Sequence, residues 1–334
     1  MKRDKALSIA EMTRHQYYYQ PKGTRRGRAP SGTTLLLKGV DVERVPNEQV
    51  VSYIETIQQD PDTDYGYRKI TYALMILGYL INHKKVYRLM NEQQLLKDHH
   101  QKSSRSYVRY RKVLPTEPLC VLEMDIKLVW VEQHRRFAYV LSVIDTFTRV
   151  LLGWKVAYSV KQDTVKALWE ELIEEHLQPN DCLSRQMNIE IRNDNDSRFI
   201  ASSVQTFFKE NSLNQVFTHP YTPQENGHIE SFHAILSRKL SRYQFWSLKD
   251  LEQCLIVFYE KYNNHRLHSG TLFLPPMVFW DCWERGVVET SIDEKKRTIK
   301  HKLLIPYHQL AQTMNMERTH CSRDIFIEDA AIVE

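Results

Sequence analysis

Hydrophobic residues recur at helical spacing between residues 47 and 97, in three successive segments. The first, NEQVVSYIETIQQ, has apolar residues on one face, and Asn47 is typical of a helix cap. The second, YRKITYALMILG, predicts a helix that ends at Gly78. The third follows Asn82, again a residue typical of a cap. The pattern therefore predicts a three-helix domain over residues 47–100.

A short turn that contains glycine joins the second and third of these helices, which is the spacing of a helix-turn-helix unit. The apolar residues of the third helix would face the core. Its basic residues would then lie where a recognition helix meets DNA: Lys84, Lys85 and Arg88. A plain helical hairpin with a solvated basic face is the alternative.

From residue 119 the pattern changes to that of strands. VLEMDIKLVWV alternates, with Leu122 and Met124 on one face and Glu123 and Asp125 on the other. Two apolar runs, RRFAYVLSVID and RVLLGWKVAYSV, follow as strands, and then NIEIRND and QVFTHP alternate with helical segments. The order β-β-β-α-β-α-β-α predicts an α/β domain over residues 119–285, a mixed five-stranded sheet with helices packed on it.

Composition assigns the remaining segments. Residues 1–20 predict a short helical segment, and residues 21–46, rich in Pro, Gly and Arg, predict a basic linker. Residues 101–118 predict a second basic linker, whose cations would follow a phosphate backbone: Arg105, Arg109, Arg111 and Lys112. A solvated connector without DNA contacts is the alternative. Residues 286–334 form a C-terminal extension whose role the sequence leaves open.

Charge is divided unevenly along the chain. Residues 1–120 hold 21 Lys/Arg and 12 Asp/Glu, a net charge of +9, whereas residues 121–334 hold 25 and 29, a net charge of −4. A basic front half indicates a polyanionic partner. No apolar run is long enough to span a bilayer, and the N-terminus lacks the apolar region of a secretory signal. The five cysteines form no C-x-x-C pair, which favours reduced thiols in a cytoplasmic protein.

Three carboxylates are expected to lie close together at one edge of such a sheet. Asp125 lies within the first strand, Asp194 ends the fourth, and Glu230 starts the helix after the fifth. Sites of α/β sheets lie outside the carboxyl ends of strands. Carboxylates gathered there repel each other unless cations intervene, and oxygen ligands select Mg²⁺ or Mn²⁺. Two such ions suit phosphoryl transfer, so the set predicts metal-dependent cutting or joining of nucleic acid. Taken alone, Glu230 is typical of a carboxylate that complements a helix dipole.

Five motifs in order resemble the bacterial insertion-sequence transposases of the "insertion sequence three" family. The resemblance covers about residues 48–280 and rests on these stretches: YGYRKITYALMILGYLINHKKVYRLM, VIDTFTRVLLGW, IRNDNDSRF, YTPQENGHIESFHAIL and YNNHRLHSG. As in the family, 35 residues separate the second aspartate, Asp194, from the glutamate, Glu230.

The resemblance implies a ribonuclease-H-like catalytic core similar to retroviral integrase, with Asp125, Asp194 and Glu230 holding two Mg²⁺ ions, for which Mn²⁺ can substitute. It implies cleavage at the ends of the element, followed by in-line attack of the exposed 3′-OH on target DNA without a covalent protein intermediate. The expected partners are double-stranded DNA, further copies of the chain in a homo-oligomer, and a helix-turn-helix protein from an upstream frame. Arg238 and Lys239 are candidates for backbone contact, and ordinary surface charge is the alternative. The expected location is the bacterial nucleoid, with no membrane.

One departure from the family pattern leaves alternatives open. The family usually has Gly two residues after the second aspartate, where this chain has Asp196. That feature favours a decayed or truncated transposase that binds element ends and represses, whereas retention of all three carboxylates favours the enzyme. A nuclease that cuts without joining is a third hypothesis. Asp145 and Glu225 lie near the motifs and are interpreted as structural and as a loop residue.

Overall fold

The computed structural model describes residues 3–20, 30–39, 41–97, 113–219, 222–293 and 297–313. The chain divides into two compact units, Met1–Thr33 and Thr34–Glu334. The first unit holds helices α1 (Arg3–Ile9) and α2 (Arg14–Tyr18). A capping box starts α2, because the backbone N–H of Gln16 donates to Thr13 Oγ1 (3.2 Å) and the N–H of Thr13 donates to the Gln16 side chain (2.8 Å).

The second unit begins with a small domain that contains the three helices expected between residues 47 and 97. Its elements are β1 (Thr33–Lys38), β2 (Asp41–Pro46), α3 (Asn47–Gln59), α4 (Tyr67–Ile76), β3 (Tyr79–Leu80) and α5 (His83–Glu92). The Asn82 side chain caps α5 by accepting from the N–H of Lys85 (3.0 Å). Gly78 turns the chain after α4 at a φ of +96°, and an added Cβ would lie 2.7 Å from Leu37 O. Only glycine suits both conditions.

Two predictions for this region are wrong. Asn47 does not cap α3, because Pro46 holds the cap position and buried Asn47 accepts from Thr34 Oγ1 (3.0 Å) instead. Residues 33–46 do not belong to a linker, since they form a hairpin in a three-stranded sheet of order β2-β1-β3. Leu36 and Val45 of this hairpin are buried against the helices. Strand pairing and apolar burial therefore outweigh the linker-like composition.

The domain expected over residues 119–285 is built on a mixed sheet of five strands. Its strands are β4 (Val121–Val131), β5 (Arg136–Asp145), β6 (Leu151–Ala157), β7 (Ile189–Asn193) and β8 (Leu213–Phe217), in the order β6-β5-β4-β7-β8. The first three form an antiparallel meander, and β7 and β8 run parallel to β4. The prediction of an α/β fold with a mixed five-stranded sheet is confirmed.

Helices cover both faces of this sheet: α6 (Gln162–Leu172) and α7 (Ser202–Glu210) on one, and α8 (Gly227–Leu240) and α9 (Leu248–Asn264) on the other. Leu122 and Met124 of β4 join the core under α6 and α7. Val129 and Val131 of the same strand join the core under α8 and α9. Alternation along β4 thus supplies both cores, because successive side chains point to opposite faces.

Gly153 lies in β6 where α6 approaches the sheet most closely. An added Cβ would lie 2.8 Å from Leu172 Cδ2 and 3.0 Å from Leu168 Cδ1. We expect Gly153→Val to lower the free energy of unfolding by about 1–3 kcal/mol in urea titrations, because the added carbons overpack the core. Gly32→Val is the control, since nothing lies within 4 Å of an added Cβ there. Equal losses in the two variants would contradict this account.

The chain after α9 forms α10 (Pro276–Glu284), the hairpin of β9 (Val288–Asp293) and β10 (Thr298–Leu303), and α11 (Tyr307–Thr313). Phe147, from the turn between β5 and β6, shares a hydrophobic cluster with Phe279 and Val288. This segment therefore packs against the turn between β5 and β6 of the five-stranded sheet. Within the described ranges, no helix is both long and apolar enough to cross a membrane.

Candidate active site

Asp125 and Asp194 lie on neighbouring strands. The parallel pairing of β4 with β7 sets Glu123 opposite Arg192, and β7 ends at Asn193. The same register, continued by two residues, sets Asp194 opposite Asp125. The Asp125 side chain is 26% exposed and Asp194 is exposed. The structure therefore brings these two carboxylates to the carboxyl end of β7, where solvent reaches them.

Glu230 approaches the same place from the first turn of α8. One turn further along, His233 Nδ1 lies 3.2 Å from Asp125 Oδ2. His233 is nearly buried, and its Nε2 has no hydrogen-bond partner among the described residues. The helix that carries Glu230 thus touches the strand residue Asp125 directly.

The three carboxylates interact electrostatically. Partial burial raises the pKa of Asp194, and the Asp125 charge raises it further. The pKa of Glu230 is raised by burial and then by the charges of Asp125 and Glu123. Such mutual repulsion is typical of a site that a cation completes. In the described parts of the chain, however, no three or more His, Cys, Asp or Glu side chains are close enough together to hold a metal ion as they stand.

Asp196, the residue that departs from the family pattern, has its own partner. Its carboxylate accepts from Arg198 Nε (2.7 Å) and from the Arg198 backbone N–H (2.9 Å), and the hydrogen bond from the Arg198 side chain lowers the pKa of Asp196. Its φ is not positive, so this position does not require glycine. The acidic side chain is therefore accommodated without strain and turned towards Arg198.

Three sequence-family matches cover the domains just described. Residues 115–223 match the model of the integrase core domain, and residues 211–276 match a second model with that description. These two ranges are similar in sequence to integrase cores. Residues 46–103 match an HTH-like domain, and that range includes α3, α4 and α5. The mixed five-stranded sheet of the expected integrase-like core and the helix-turn-helix-like region before it are both confirmed.

Curated relatives are proteins of insertion sequences. An uncharacterized 39.2 kDa protein of insertion element IS476 from Xanthomonas euvesicatoria is 26% identical over 217 residues, which are 64% of this chain and 60% of that protein. The putative transposase InsK for IS150 from Escherichia coli K12 is 25% identical over 83% of this chain and 92% of its own length. The transposase for IS904 from Lactococcus lactis is 23% identical over 71% and 95%. These relatives confirm the resemblance to insertion-sequence transposases.

Glu123 is a residue of the integrase core that sequence reasoning missed. Alternation placed it on the polar face of β4, but α8 covers that face and Glu123 is 0% exposed. Its carboxylate accepts from the backbone N–H groups of His228 (2.9 Å) and Ile229 (2.8 Å), and His228 Nδ1 lies 2.6 Å from Oε1. Burial raises the pKa of Glu123 to about 8, against these hydrogen bonds and two nearby arginines. The signal available in sequence was an acidic residue in an apolar strand.

The half-buried Arg149 lies close enough to Glu123 for their charges to interact. Burial lowers the pKa of Arg149, and the Glu123 charge raises it, so the two side chains attract each other. Burial also lowers the pKa of His268 to about 3, which leaves that imidazole neutral near pH 7.

Asp145 is fully buried and accepts from the backbone N–H groups of Leu119 (3.2 Å) and Thr148 (2.8 Å). Asp145 therefore holds the chain around the turn after β5, as expected of a structural residue.

The basic residues predicted on the recognition helix are at the surface of α5. Lys84 is exposed, whereas Lys85 and Arg88 are half-buried. Arg88 Nη1 lies 3.4 Å from Glu92 Oε1, one turn along the helix. The four basic residues predicted to contact phosphate from the linker of residues 101–118 lie outside the described residues: Arg105, Arg109, Arg111 and Lys112.

Arg238 and Lys239 of α8 meet acidic residues of the HTH-like domain. Arg238 pairs with Asp64, and Lys239 Nζ lies 2.6 Å from Asp62 Oδ2. Arg242 Nη1 also lies 3.0 Å from Asp62 Oδ1. These two carboxylates belong to the loop between α3 and α4, which we call the acidic loop (residues 60–64). The basic surface of α8 is thus engaged within the protein.

Proposed function

We propose that this chain is a DNA transposase that cleaves at the ends of its element and joins the exposed 3′-OH to target DNA by in-line phosphoryl transfer. The observation that carries the proposal is that β7, which Asp194 follows, pairs with the strand of Asp125, while α8, the helix of Glu230, meets Asp125 through His233 at 3.2 Å. The relatives named as transposases support the same activity.

The donors of this site fit a hard divalent cation. All three are carboxylates, Asp194 and Glu230 hold raised pKa values beside the Asp125 charge, and oxygen ligands select Mg²⁺ or Mn²⁺. The three side chains would have to move closer together to share an ion, since they form no ready ligand set. When bound, two such ions would supply the charge stabilisation that phosphoryl transfer needs at the attacking and leaving oxygens.

Other side chains of the protein would orient the carboxylates. His233 Nδ1 faces Asp125 Oδ2 and holds that carboxylate in one orientation. Arg198 draws the Asp196 carboxylate to itself, which leaves Asp194 as the carboxylate that faces Asp125. Glu230 enters from α8, so a shift of that helix would change its distance from both aspartates.

DNA would be held by the basic residues around this centre. We assign base and backbone contacts to Lys84, Lys85 and Arg88 of α5, and backbone contacts to the basic linker of residues 101–118 and to Arg238 and Lys239. Action on two element ends favours a homo-oligomer on DNA, and the resemblance adds an upstream-frame partner. Its place of action would be the bacterial nucleoid.

Glu230→Gln tests the assignment of the third carboxylate. With labelled DNA from the element ends and Mg²⁺, we expect nicking and strand joining to fall by about 10²-fold or more, because loss of roughly 2.7 kcal/mol of transition-state stabilisation gives that factor. Gel analysis with and without EDTA measures both steps. Asp196→Asn is the matched control, since Asp196 is paired with Arg198, and it should retain nicking.

The same assay separates the competing functions. Binding to element ends by the wild type without cleavage, even with the upstream partner added, would favour the repressor. Nicking without joined products would favour the nuclease. Loss of nicking in Asp196→Asn with retention in Glu230→Gln would contradict the choice of carboxylates.

A further inference from the structure

Glu123 links the strand that carries Asp125 to the helix that carries Glu230. It lies two residues before Asp125 on β4, and its two carboxylate oxygens meet the first turn of α8. Oε2 accepts from two successive backbone N–H groups, at 2.9 and 2.8 Å, and Oε1 faces His228 Nδ1 at 2.6 Å. Both oxygens of this buried carboxylate therefore contact the start of α8.

The start of α8 has no side-chain cap of its own. Asn226 holds the cap position, but its side chain makes no capping hydrogen bond. The first N–H groups of a helix otherwise lack partners, and the helix dipole favours a negative charge beside them. Glu123, from 105 residues earlier in the chain, supplies the acceptors for two of these N–H groups. The helix is capped by the strand on which it packs.

This arrangement also contains its own counter-charge. Arg149 is half-buried near Glu123, and its charge favours the ionised form of that carboxyl, while burial raises the pKa of Glu123 to about 8. Burial of a carboxyl group without partners is costly, and hydrogen bonds and nearby cations reduce that cost. The hydrogen bonds to α8 and the charge of Arg149 thus offset part of the cost of burying Glu123 beneath the site.

We propose that Glu123 is a positioning residue, which fixes Glu230 at the distance from Asp125 that the metal-binding carboxylates require. The inference rests on the proposed function of these carboxylates. Glu230 follows the two capped N–H groups directly, and Asp125 follows Glu123 by two residues, so little chain lies between the link and either ligand. A cap that only stabilised the fold would leave metal affinity unchanged.

Glu123→Gln tests the proposal in the full-length chain. A glutamine replaces one carboxylate oxygen with an NH₂ group, so it cannot accept at all three contacts with His228 and Ile229, while side-chain volume is kept. We expect faster hydrogen exchange at the amides of residues 228–230 and a Mn²⁺ dissociation constant raised by about tenfold, a factor within the range for groups that orient ligands. Electron paramagnetic resonance of free Mn²⁺ measures the affinity without cleavage.

Asp145→Asn is the matched control, because Asp145 is also a buried carboxylate that accepts backbone N–H groups but does not contact α8. We expect a lowered melting temperature with unchanged Mn²⁺ affinity. In Glu123→Gln, a lowered melting temperature with unchanged Mn²⁺ affinity and unchanged exchange at residues 228–230 would overturn the proposal.

Two further outcomes keep the proposals apart. Mn²⁺ binding by the wild type without cleavage of element ends would count against the transposase alone, and the effect of Glu123→Gln on Mn²⁺ would still support the positioning role. Failure of the wild type to bind Mn²⁺ would overturn both.

Discussion

Asp125→Asn is expected to lower cleavage and strand joining by about 10³-fold or more while leaving affinity for element ends nearly unchanged. Loss of a carboxylate that would hold the metal ions removes several kcal/mol of transition-state stabilisation, and each 1.36 kcal/mol is tenfold in rate. Asp125 is the group expected to matter most, since its charge acts on both Asp194 and Glu230. Gel assays of cleavage and mobility-shift assays of binding measure the two properties separately.

The same variant has an electrostatic signature that does not depend on activity. Because the Asp125 charge helps to raise the pKa of Glu230 and of Asp194, its removal should lower both pKa values towards those of ordinary carboxyls. Carboxyl-resolved NMR titration of the metal-free protein detects the change. Asp163→Asn is the control, since Asp163 is exposed and pairs with Lys166 at 2.9 Å. Unchanged pKa values, or joint loss of cleavage and DNA binding, would count against the assignment.

Local pattern predicted the three helices of the HTH-like domain and the five strands of the mixed sheet. Apolar periodicity predicted α3, α4 and α5, and alternation predicted β4, although both of its faces are covered by helices. The hairpin of β1 and β2 was missed because its burial depends on β3, a two-residue strand at Tyr79–Leu80 that has no pattern of its own. Such a short strand forms only because it pairs with its partner strand, and composition does not reveal that pairing.

The contacts that complete the site are long-range, and sequence does not specify them. Alternation could assign Glu123 to a face of β4, but it could not show that α8 would cover that face. In the same way, the pairs of Arg238 and Lys239 with the acidic loop join residues more than 170 positions apart. A basic side chain on a helix looks the same in sequence whether its partner is phosphate or a carboxylate of another domain.

Removal of the charges of the acidic loop is expected to have a large effect on DNA affinity. We expect the double variant Asp62→Asn, Asp64→Asn to bind duplex DNA about tenfold or more tightly at low salt, with a steeper dependence on salt concentration. In the wild type, Lys239 and Arg242 face Asp62 at 2.6 and 3.0 Å, and Arg238 pairs with Asp64. These donors are the ones that a phosphate would use. Each additional phosphate contact changes the salt slope by about 0.9, so filter binding over a range of KCl concentrations counts the cations released.

A change of two charges by itself also raises DNA affinity, and a second double variant isolates that contribution. Asp163→Asn with Glu171→Gln removes two carboxylates of α6, which pair with Lys166 of α6 and Lys155 of β6, away from the basic surface of α8. An equal rise in both double variants would assign the effect to net charge and would remove Arg238 and Lys239 from the DNA-binding surface. A larger rise and a steeper salt slope only in the acidic-loop variant would show that α8 binds phosphate once its carboxylate partners are gone, because long-range charge is the same in the two proteins.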